Sequence, residues 1–218
     1  MIENEIRKKI EHFSTKLNNC KILDLGCGRQ NYKKYFTNNI YHGIDIVKND
    51  PLIKSDKFYD GETIPYDSGY FDCIISTQVL SHVKNLDTFF SEMYRVIKQD
   101  GLILITTSFI AALSEYPNDF RRFTIAGLVN YCQKNKFNIL DYEKIITGKQ
   151  SIETVILSEI HKYNFKKIKE YFGLKKRIFS LYISLCIKLT KYLFNFLYKI
   201  NGFEDVYSVN FIIIQKGK

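Results

Sequence analysis

The segment from Lys21 to Gln30 constrains the fold more than any other part of the chain. It reads Lys-Ile-Leu-Asp-Leu-Gly-Cys-Gly-Arg-Gln, an apolar run followed by a carboxylate and two glycines one residue apart. The apolar run predicts a strand buried on both faces, as in parallel sheets, and the glycines let a bound molecule approach the backbone closely. Asn31 replaces the third glycine of the G-x-G-x-x-G fingerprint. The segment therefore predicts a buried strand that ends at a nucleotide-like ligand.

Strand and helix patterns alternate from this segment onward. Residues 2–17 carry apolar side chains at helical spacing before it, and residues 32–36 are predicted to be helical after it. Buried strands are predicted at residues 40–46, 69–76 and 102–107, and an amphipathic helix at residues 89–97 is expected to end at the stop signal of residues 98–101. This alternation predicts an α/β fold with a doubly wound sheet.

The C-terminal part contains an insertion. Residues 137–142 are predicted to form strand six and residues 206–214 the last strand, with a helical insertion at residues 151–203 between them. Its most apolar part, residues 174–200, has a single narrow polar stripe. The longest run without a charge is ten residues, Ile178 to Ile187, whereas a membrane span needs about 20. The insertion is thus expected to be a cap on its own domain, a dimer contact or a membrane-surface element.

The distribution of charge and the spacing of the cysteines limit which partners and metal sites the chain can have. Residues 1–133 contain 16 basic and 16 acidic side chains, whereas residues 134–218 contain 16 and 7. This excess suits an anionic partner such as lipid, nucleic acid or a phosphorylated substrate, or else it is a solvated lysine-rich face. The five cysteines are scattered and do not cluster with the histidines, so we expect reduced thiols and no metal site. The N-terminus lacks the pattern of a signal peptide, which predicts a cytoplasmic protein.

Several further motifs follow the glycine segment in a definite order. Asp45 ends the second predicted strand, 17 residues after Gly28, where an ionised carboxylate can accept hydrogen bonds from two ribose hydroxyls. Asp60-Gly61-Glu62 precedes the next strand, and the elements Val79-Leu80-Ser81-His82-Val83 and Arg95-Val96-Ile97-Lys98-Gln99-Asp100-Gly101 come later.

With these motifs, residues 20–145 resemble class I S-adenosyl-L-methionine (SAM)-dependent methyltransferases of the Methyltransferase-11 type. The resemblance implies a Rossmann-like, doubly wound, seven-stranded sheet whose last strand is antiparallel, in a single domain over residues 1–218. Two positions depart from the family pattern. Gln30 stands at the third glycine of the loop, and Ser81 stands where the family has an acid before the histidine.

The resemblance also implies the site residues. Cofactor contacts are expected from Asp24, Gly26, Cys27, Gly28, Asp45, Ile46, Asp60, Gly61, Glu62, Thr77 and Gln78. His82 is expected to act as the general base for a hydroxyl acceptor, or to be structural. The segment from Glu115 to Leu128 is similar to a stretch in methyltransferases of bacterial polysaccharide and glycolipid gene clusters. Substrate contacts are expected there from Tyr116, Asp119, Arg121 and Arg122, although an internal aspartate–arginine ion pair would explain the same residues.

The leading hypothesis is methyl transfer to a small hydroxylated acceptor, such as a sugar or lipid-linked glycan in polysaccharide biosynthesis. A quinone or other lipid acceptor, an RNA acceptor and a non-catalytic SAM-binding partner protein are the alternatives. Nucleic acid is disfavoured because the basic residues are interleaved with aliphatic ones and no RNA-binding module is recognisable. We expect a cytoplasmic protein. Residues 174–200 are expected to mediate either peripheral contact with the inner membrane or homodimerisation, and both are compatible with that location.

Overall fold

The computed structural model describes residues 2–46, 50–113, 116–147 and 207–217, together with Ser151, Leu185, Lys188, Leu189 and Tyr192. The chain divides into two compact units. The first contains residues 1–109, 113–145 and 209–218, and the second contains residues 110–112 and 146–208.

Three α-helices and seven strands lie within the four continuous ranges that the structure describes. The helices are α1 (Ile2–Ser14), α2 (Leu86–Val96) and α3 (Ile125–Lys134). The strands are β1 (Lys21–Leu25), β2 (Ile40–Asp45), β3 (Lys57–Phe58), β4 (Phe71–Thr77), β5 (Ile97–Ser108), β6 (Phe137–Thr147) and β7 (Tyr207–Lys216). Asn85 and Thr124 cap α2 and α3 by accepting hydrogen bonds from backbone N–H groups of the first turn.

The strands form one sheet in the order β3-β2-β1-β4-β5-β7-β6. Strands β1 to β5 pair in parallel, and β7 runs antiparallel to β5. The predicted Rossmann-like, seven-stranded sheet with an antiparallel last strand is confirmed. Because β1 to β4 are parallel, the residues that follow them meet at one edge of the sheet, where ligands of doubly wound folds bind.

The central strands carry buried apolar side chains on both faces of the sheet. Ile22 and Leu23 in β1 are fully buried although they point to opposite faces. Helix α1 contributes Ile6, Ile10 and Phe13, and α2 contributes Phe89, Phe90, Met93 and Val96. Each fully buried side chain of this size stabilises the fold by about 1.5–3 kcal/mol relative to an exposed one.

Two local predictions differ from the structure, and one short strand was not predicted. The helix expected at residues 32–36 is only a 3₁₀ helix, Lys33–Tyr35, within the 14-residue connection from β1 to β2. Strand β3 is two residues long, too short for periodicity to reveal it. Strand β5 begins at Ile97, so the expected helix stop lies inside a strand. Its pairing with β4 shifts between Phe71 and Cys73, which accommodates the extra residues as a bulge.

The predicted insertion at residues 151–203 belongs to the second unit and falls largely outside the described residues. Ser151 is helical, and its buried hydroxyl is hydrogen-bonded to that of Ser208. Leu185, Lys188, Leu189 and Tyr192 are also helical, and all four are exposed. Within the described part of the chain, no helix is both long enough and apolar enough to cross a membrane.

Candidate functional site

The glycine loop after β1 is held open by backbone conformation. Gly26 has φ +80°, and a Cβ there would lie 2.4 Å from Val79 Cγ2, so packing and conformation both require glycine. Gly28 has φ +49°, and a Cβ there would meet no atom within 4 Å. The loop is pinned to β2 because the backbone N–H groups of Gly26 and Cys27 both donate to the Ile44 carbonyl. The side of Gly28 is therefore open to a ligand.

Gln30, which stands where the family has the third glycine of the loop, adopts a backbone conformation typical of glycine. Its φ of +52° lies in the left-handed region, which costs a non-glycine residue about 1–2 kcal/mol. Its amide Nε2 donates to Asp56 Oδ2 at 3.3 Å. The loop thus keeps the backbone conformation that suits glycine while a glutamine side chain bridges to the segment after β2.

Asp24, at the end of β1, is wholly buried. The Tyr41 hydroxyl donates to its Oδ2, whereas its Oδ1 has no hydrogen-bond partner among the described residues. Burial raises the pKa of Asp24 to about 7; the bond from Tyr41 opposes this shift and the charge of Asp45 adds to it. A buried, half-satisfied carboxylate of this kind is suited to a cationic group of a ligand.

Asp45, at the end of β2, faces the same loop. Its Oδ2 accepts from the Gly28 N–H at 2.9 Å and its Oδ1 from the Ile46 N–H at 2.8 Å. A carboxylate has about four acceptor positions, so it can hold these two amides and still accept hydroxyl groups. The next residue, Ile46, is apolar and 53% exposed, so it offers an apolar surface next to the carboxylate in the chain.

The segment after β3 borders that surface. Asp60 Oδ1 accepts from the N–H groups of Glu62 and Thr63, both at 2.8 Å, and these bonds lower the pKa of the exposed Asp60 carboxyl. Gly61 has φ +86°, and a Cβ there would lie 3.5 Å from Ile46 Cγ2. The turn of residues 60–63 and Ile46 are therefore neighbours at the carboxyl edge of the sheet.

The end of β4 carries Thr77 and Gln78. Gln78 has φ +60°, its Nε2 donates to Thr106 Oγ1 at 3.2 Å, and its Oε1 accepts from the Ser108 hydroxyl at 2.5 Å. Its side chain is thus committed to β5, so its contribution to a ligand site would come from the backbone. Burial raises the pKa of the nearby Tyr32 hydroxyl, and the Thr77 side chain opposes this shift. Sequence reasoning missed Tyr32, because a tyrosine after a glycine loop has no distinguishing pattern.

His82 lies in the loop after β4. Its Nδ1 is 2.8 Å from the Asn118 carbonyl oxygen. Since a carbonyl can only accept, Nδ1 carries the proton and the neutral ring has its lone pair on Nε2. This tautomer is the one a base acting through Nε2 requires.

Residues 116–123, called the lid segment below, are fastened to that loop. The Phe120 N–H donates to the Ser81 carbonyl at 2.8 Å, and the Arg121 guanidinium donates to the Val83 and Lys84 carbonyls. Arg122 forms a two-point ion pair with Asp119, whose side chain is 1% exposed. Tyr116, by contrast, is 82% exposed. Of the predicted substrate residues, Arg121 therefore lies against the loop of His82, and the internal ion pair that the spacing of Asp119 and Arg122 allowed is present.

Two further features concern metal binding and cavities. Among the described residues, no group of three or more side chains could hold a metal ion. A concavity of about 380 Å³ lies against helix α1 and is lined by Asn4, Glu5, Arg7, Lys8, Glu11 and Tyr35, none of which is a predicted site residue.

Comparison with known proteins identifies the class. Residues 23–105 match the family model described as a methyltransferase domain. Together with the sheet order and the carboxylate-flanked glycine loop, this match supports a class I methyltransferase. The chain is an S-adenosyl-L-methionine-dependent methyltransferase, and SAM is its cofactor.

The relatives are distant. The chain is 28% identical over 192 residues to a malonyl-[acyl-carrier protein] O-methyltransferase of Buchnera aphidicola subsp. Baizongia pistaciae, covering 83% of this chain and 72% of that protein. The [4+2]-cyclase SpnF has a similar fold, with a TM-score of 0.64 and 15% identity over 98% of this chain and 81% of that one. Phosphoethanolamine N-methyltransferase 2 of Haemonchus contortus, solved with SAM, also has a similar fold. Its TM-score is 0.60 and its sequence identity is 16%, over 98% of this chain and 53% of that one. At such identities the structural likeness concerns the fold alone.

Proposed function

We propose that the chain transfers the methyl group of SAM to a hydroxylated acceptor, a sugar or lipid-linked glycan. The observation that carries the cofactor part is the pair of buried carboxylates flanking the glycine loop, Asp24 and Asp45. Asp24 Oδ1 would receive the ammonium group of the methionine part, and Asp45 would receive the ribose hydroxyls. The adenine would lie on Ile46 beside residues 60–62, and the loop backbone at Gly26, Cys27 and Gly28, with Thr77 and Gln78, would line the methionine end.

His82 is the proposed base. When bound, SAM supplies an electrophilic methyl group on a positively charged sulfur. A hydroxyl acceptor loses its proton during transfer, and His82 Nε2 would take up that proton. The hydrogen bond from Nδ1 to the Asn118 carbonyl supports this role because it orients the ring and selects the tautomer. His82→Ala should lower turnover by about 10²-fold or more without changing SAM affinity; near-normal turnover would remove the role.

The lid segment is the proposed acceptor surface. Leu113, Tyr116 and Phe120 are exposed apolar side chains at this position in the chain, which favours an acceptor that has an apolar part over a bare sugar. Arg121, Asp119 and Arg122 would shape this surface and offer polar contacts. Labelled methyl transfer from SAM into separated glycan, lipid and RNA fractions of an extract tests the assignment. Label in the glycan or glycolipid fraction supports it; label in quinone, other lipid or RNA supports the corresponding alternative.

A carboxyl acceptor is the second candidate, because the relative named above is a malonyl-[acyl-carrier protein] O-methyltransferase. A carboxylate is already ionised near neutral pH, so its methylation needs no general base. Turnover with a malonyl-carrier protein that survives His82→Ala would favour this candidate. SAM binding without transfer to any fraction would instead favour a non-catalytic partner protein.

The single domain over residues 1–218, with its insertion at residues 151–203, is proposed to act at the inner surface of the cytoplasmic membrane. Leu185, Leu189 and Tyr192 recur at helical spacing and are exposed, and Lys188 lies among them. An apolar stripe beside a basic residue suits an interface with anionic lipid. Flotation with anionic vesicles at low salt should carry the protein upward, and Leu189→Glu should reduce this. A protein that stays unbound and sediments as a dimer would support homodimerisation through residues 174–200.

A further inference from the structure

His82 lies between backbone carbonyl groups that the lid segment binds. The carbonyl before it, of Ser81, accepts a hydrogen bond from the Phe120 N–H at 2.8 Å. The two carbonyls after it both accept from the guanidinium of Arg121, the second of them at 3.1 Å. Two consecutive residues of the lid segment therefore fix the backbone of the loop after β4 on both sides of the histidine.

A guanidinium is suited to this contact. The backbone bends at Lys84, and Arg121 bridges the carbonyls of Lys84 and of the residue before it. The guanidinium is planar and presents its N–H donors in a fixed fork, so one side chain can hold two neighbouring carbonyls in a defined geometry. An ammonium on a flexible stem keeps the charge but not this fork. Arg121 therefore stabilises one particular shape of the loop.

The backbone of this arginine is fixed in turn by its neighbours in the lid segment. Arg122 donates to the Arg121 carbonyl at 2.8 Å and forms the two-point ion pair with the buried Asp119. The Phe123 carbonyl accepts from the side-chain amide of Asn210 at 2.7 Å, and Asn210 is wholly buried in β7. The lid segment is thus attached to the sheet at one end and to the loop of the histidine through Arg121.

The ring of His82 depends on both attachments. Its Nδ1 donates to the carbonyl of Asn118, a residue of the lid segment, at 2.8 Å. A hydrogen bond weakens steeply when its distance or angle departs from the normal range, so a small displacement of the loop against the lid segment would break it. This bond keeps the proton on Nδ1 and the lone pair on Nε2, which is the form that a base acting through Nε2 requires.

We propose that Arg121 is a positioning residue for His82. Its guanidinium fixes the loop after β4 so that Nδ1 of the histidine meets the Asn118 carbonyl and Nε2 is left to accept a proton. The inference rests on the base role proposed above for His82. It gives the arginine, which the sequence predicted as a substrate contact, a role that acts through the base rather than on the reacting atoms.

The tautomer of His82 can be measured without any acceptor. Nitrogen-15 NMR distinguishes protonated from unprotonated ring nitrogens, and comparison with His82→Gln identifies the signals of this histidine among the four in the chain. At about pH 8.5, where histidine rings are neutral, the wild type should carry the proton on Nδ1. Arg121→Lys keeps the charge and loses the fork, so it should show a mixture of the two tautomers.

Binding and turnover complete the test of this variant. Arg121→Lys should bind S-adenosylhomocysteine as tightly as the wild type does, which also shows that it is folded. Its turnover with labelled SAM, measured in the extract fraction that accepts the methyl group, should fall by about tenfold, because only part of the population would hold the competent tautomer.

Arg95→Lys is the matched control. The Arg95 guanidinium also donates to two backbone carbonyls, those of Ile64 and Tyr66, both at 2.8 Å. The variant therefore loses the same kind of contact elsewhere in the fold, and it should keep the wild-type tautomer of His82. A wild-type tautomer in Arg121→Lys, or an equal change in Arg95→Lys, would overturn the inference and leave the base role intact. Near-normal turnover of His82→Ala would instead overturn the base role itself.

Discussion

The ionisation of Asp24 makes a quantitative prediction about cofactor binding. Asp24 is wholly buried, its pKa is raised to about 7, and its Oδ1 lacks a partner among the described residues. If this oxygen binds the ammonium group of SAM, only the ionised carboxylate is competent. Binding at acidic pH must then release the proton of Asp24, and the affinity must rise as the pH approaches 7.

The magnitude follows from the titration curve. With a pKa of about 7, roughly 3% of the carboxyl is ionised at pH 5.5 and roughly half at pH 7. The affinity should therefore rise about fifteenfold over this interval, equivalent to about 1.6 kcal/mol. An α-amino group, with a pKa near 7.7–8.0 in peptides, stays charged throughout, so the ligand itself contributes little to the change.

Titration calorimetry with S-adenosylhomocysteine at pH 5.5, 6, 6.5 and 7 measures this slope. Repeating it in buffers with different ionisation enthalpies should reveal release of about half a proton at pH 7 and close to one at pH 6. Asp24→Asn, which mimics the protonated acid, should bind weakly and without pH dependence. A wild-type affinity that is flat from pH 5.5 to 7, or an Asp24→Asn variant that keeps the slope, would refute the reasoning.

The same shift has the opposite consequence for the free protein. A carboxyl whose pKa is raised by folding contributes stability that is full below its unfolded pKa, near 3.9, and is lost as the pH rises through about 7. At pH 8 without cofactor, Asp24→Asn should therefore unfold at a higher denaturant concentration than the wild type. The gain is bounded by the size of the shift, on the order of 4 kcal/mol.

Four other substitutions test the site and its supports. Tyr41→Phe removes the hydrogen bond that lowers the pKa of the Asp24 carboxyl, so the midpoint of the pH-dependent binding should move above pH 7 in the same titrations. Gly26→Ala should lower the free energy of unfolding by about 3 kcal/mol, because it adds left-handed strain to a clash with Val79, whereas Gly28→Ala should cost only about 1 kcal/mol; equal costs would contradict the packing argument. Asp119→Asn should cost about 2 kcal/mol in urea unfolding by breaking a buried ion pair, and an unchanged midpoint would count against that pair.

The local sequence pattern was sufficient to predict that the carboxylates and glycines of the site lie at strand ends. The run from Asp24 to Gly28 and the acid at Asp45 stand at strand ends, and hydrophobic periodicity locates strand ends well when the strands are buried. The structure accordingly brings the ends of β1, β2, β3 and β4 together with those residues at one edge. Their contacts with the cofactor remain a prediction.

Other features depend on tertiary packing that no local pattern encodes. The left-handed conformation at Gln30 is invisible in the sequence, because glutamine rarely adopts it. The residues after Ile97 read as a helix stop, yet pairing with Phe71 places Ile97 in a strand. The lid segment was ambiguous because Asp119 and Arg122 suit either a substrate or each other.

The central claim is that SAM binds at the carboxyl edge of β1 to β4, between Asp24 and Asp45. Titration of S-adenosylhomocysteine into the wild-type protein and into Asp45→Ala at pH 7 tests it most directly. We expect one molecule to bind per chain, and we expect the substitution to weaken binding by about tenfold or more, since it removes the acceptor for two ribose hydroxyls. No binding to the wild-type protein, or equal affinity for the variant, would contradict the account.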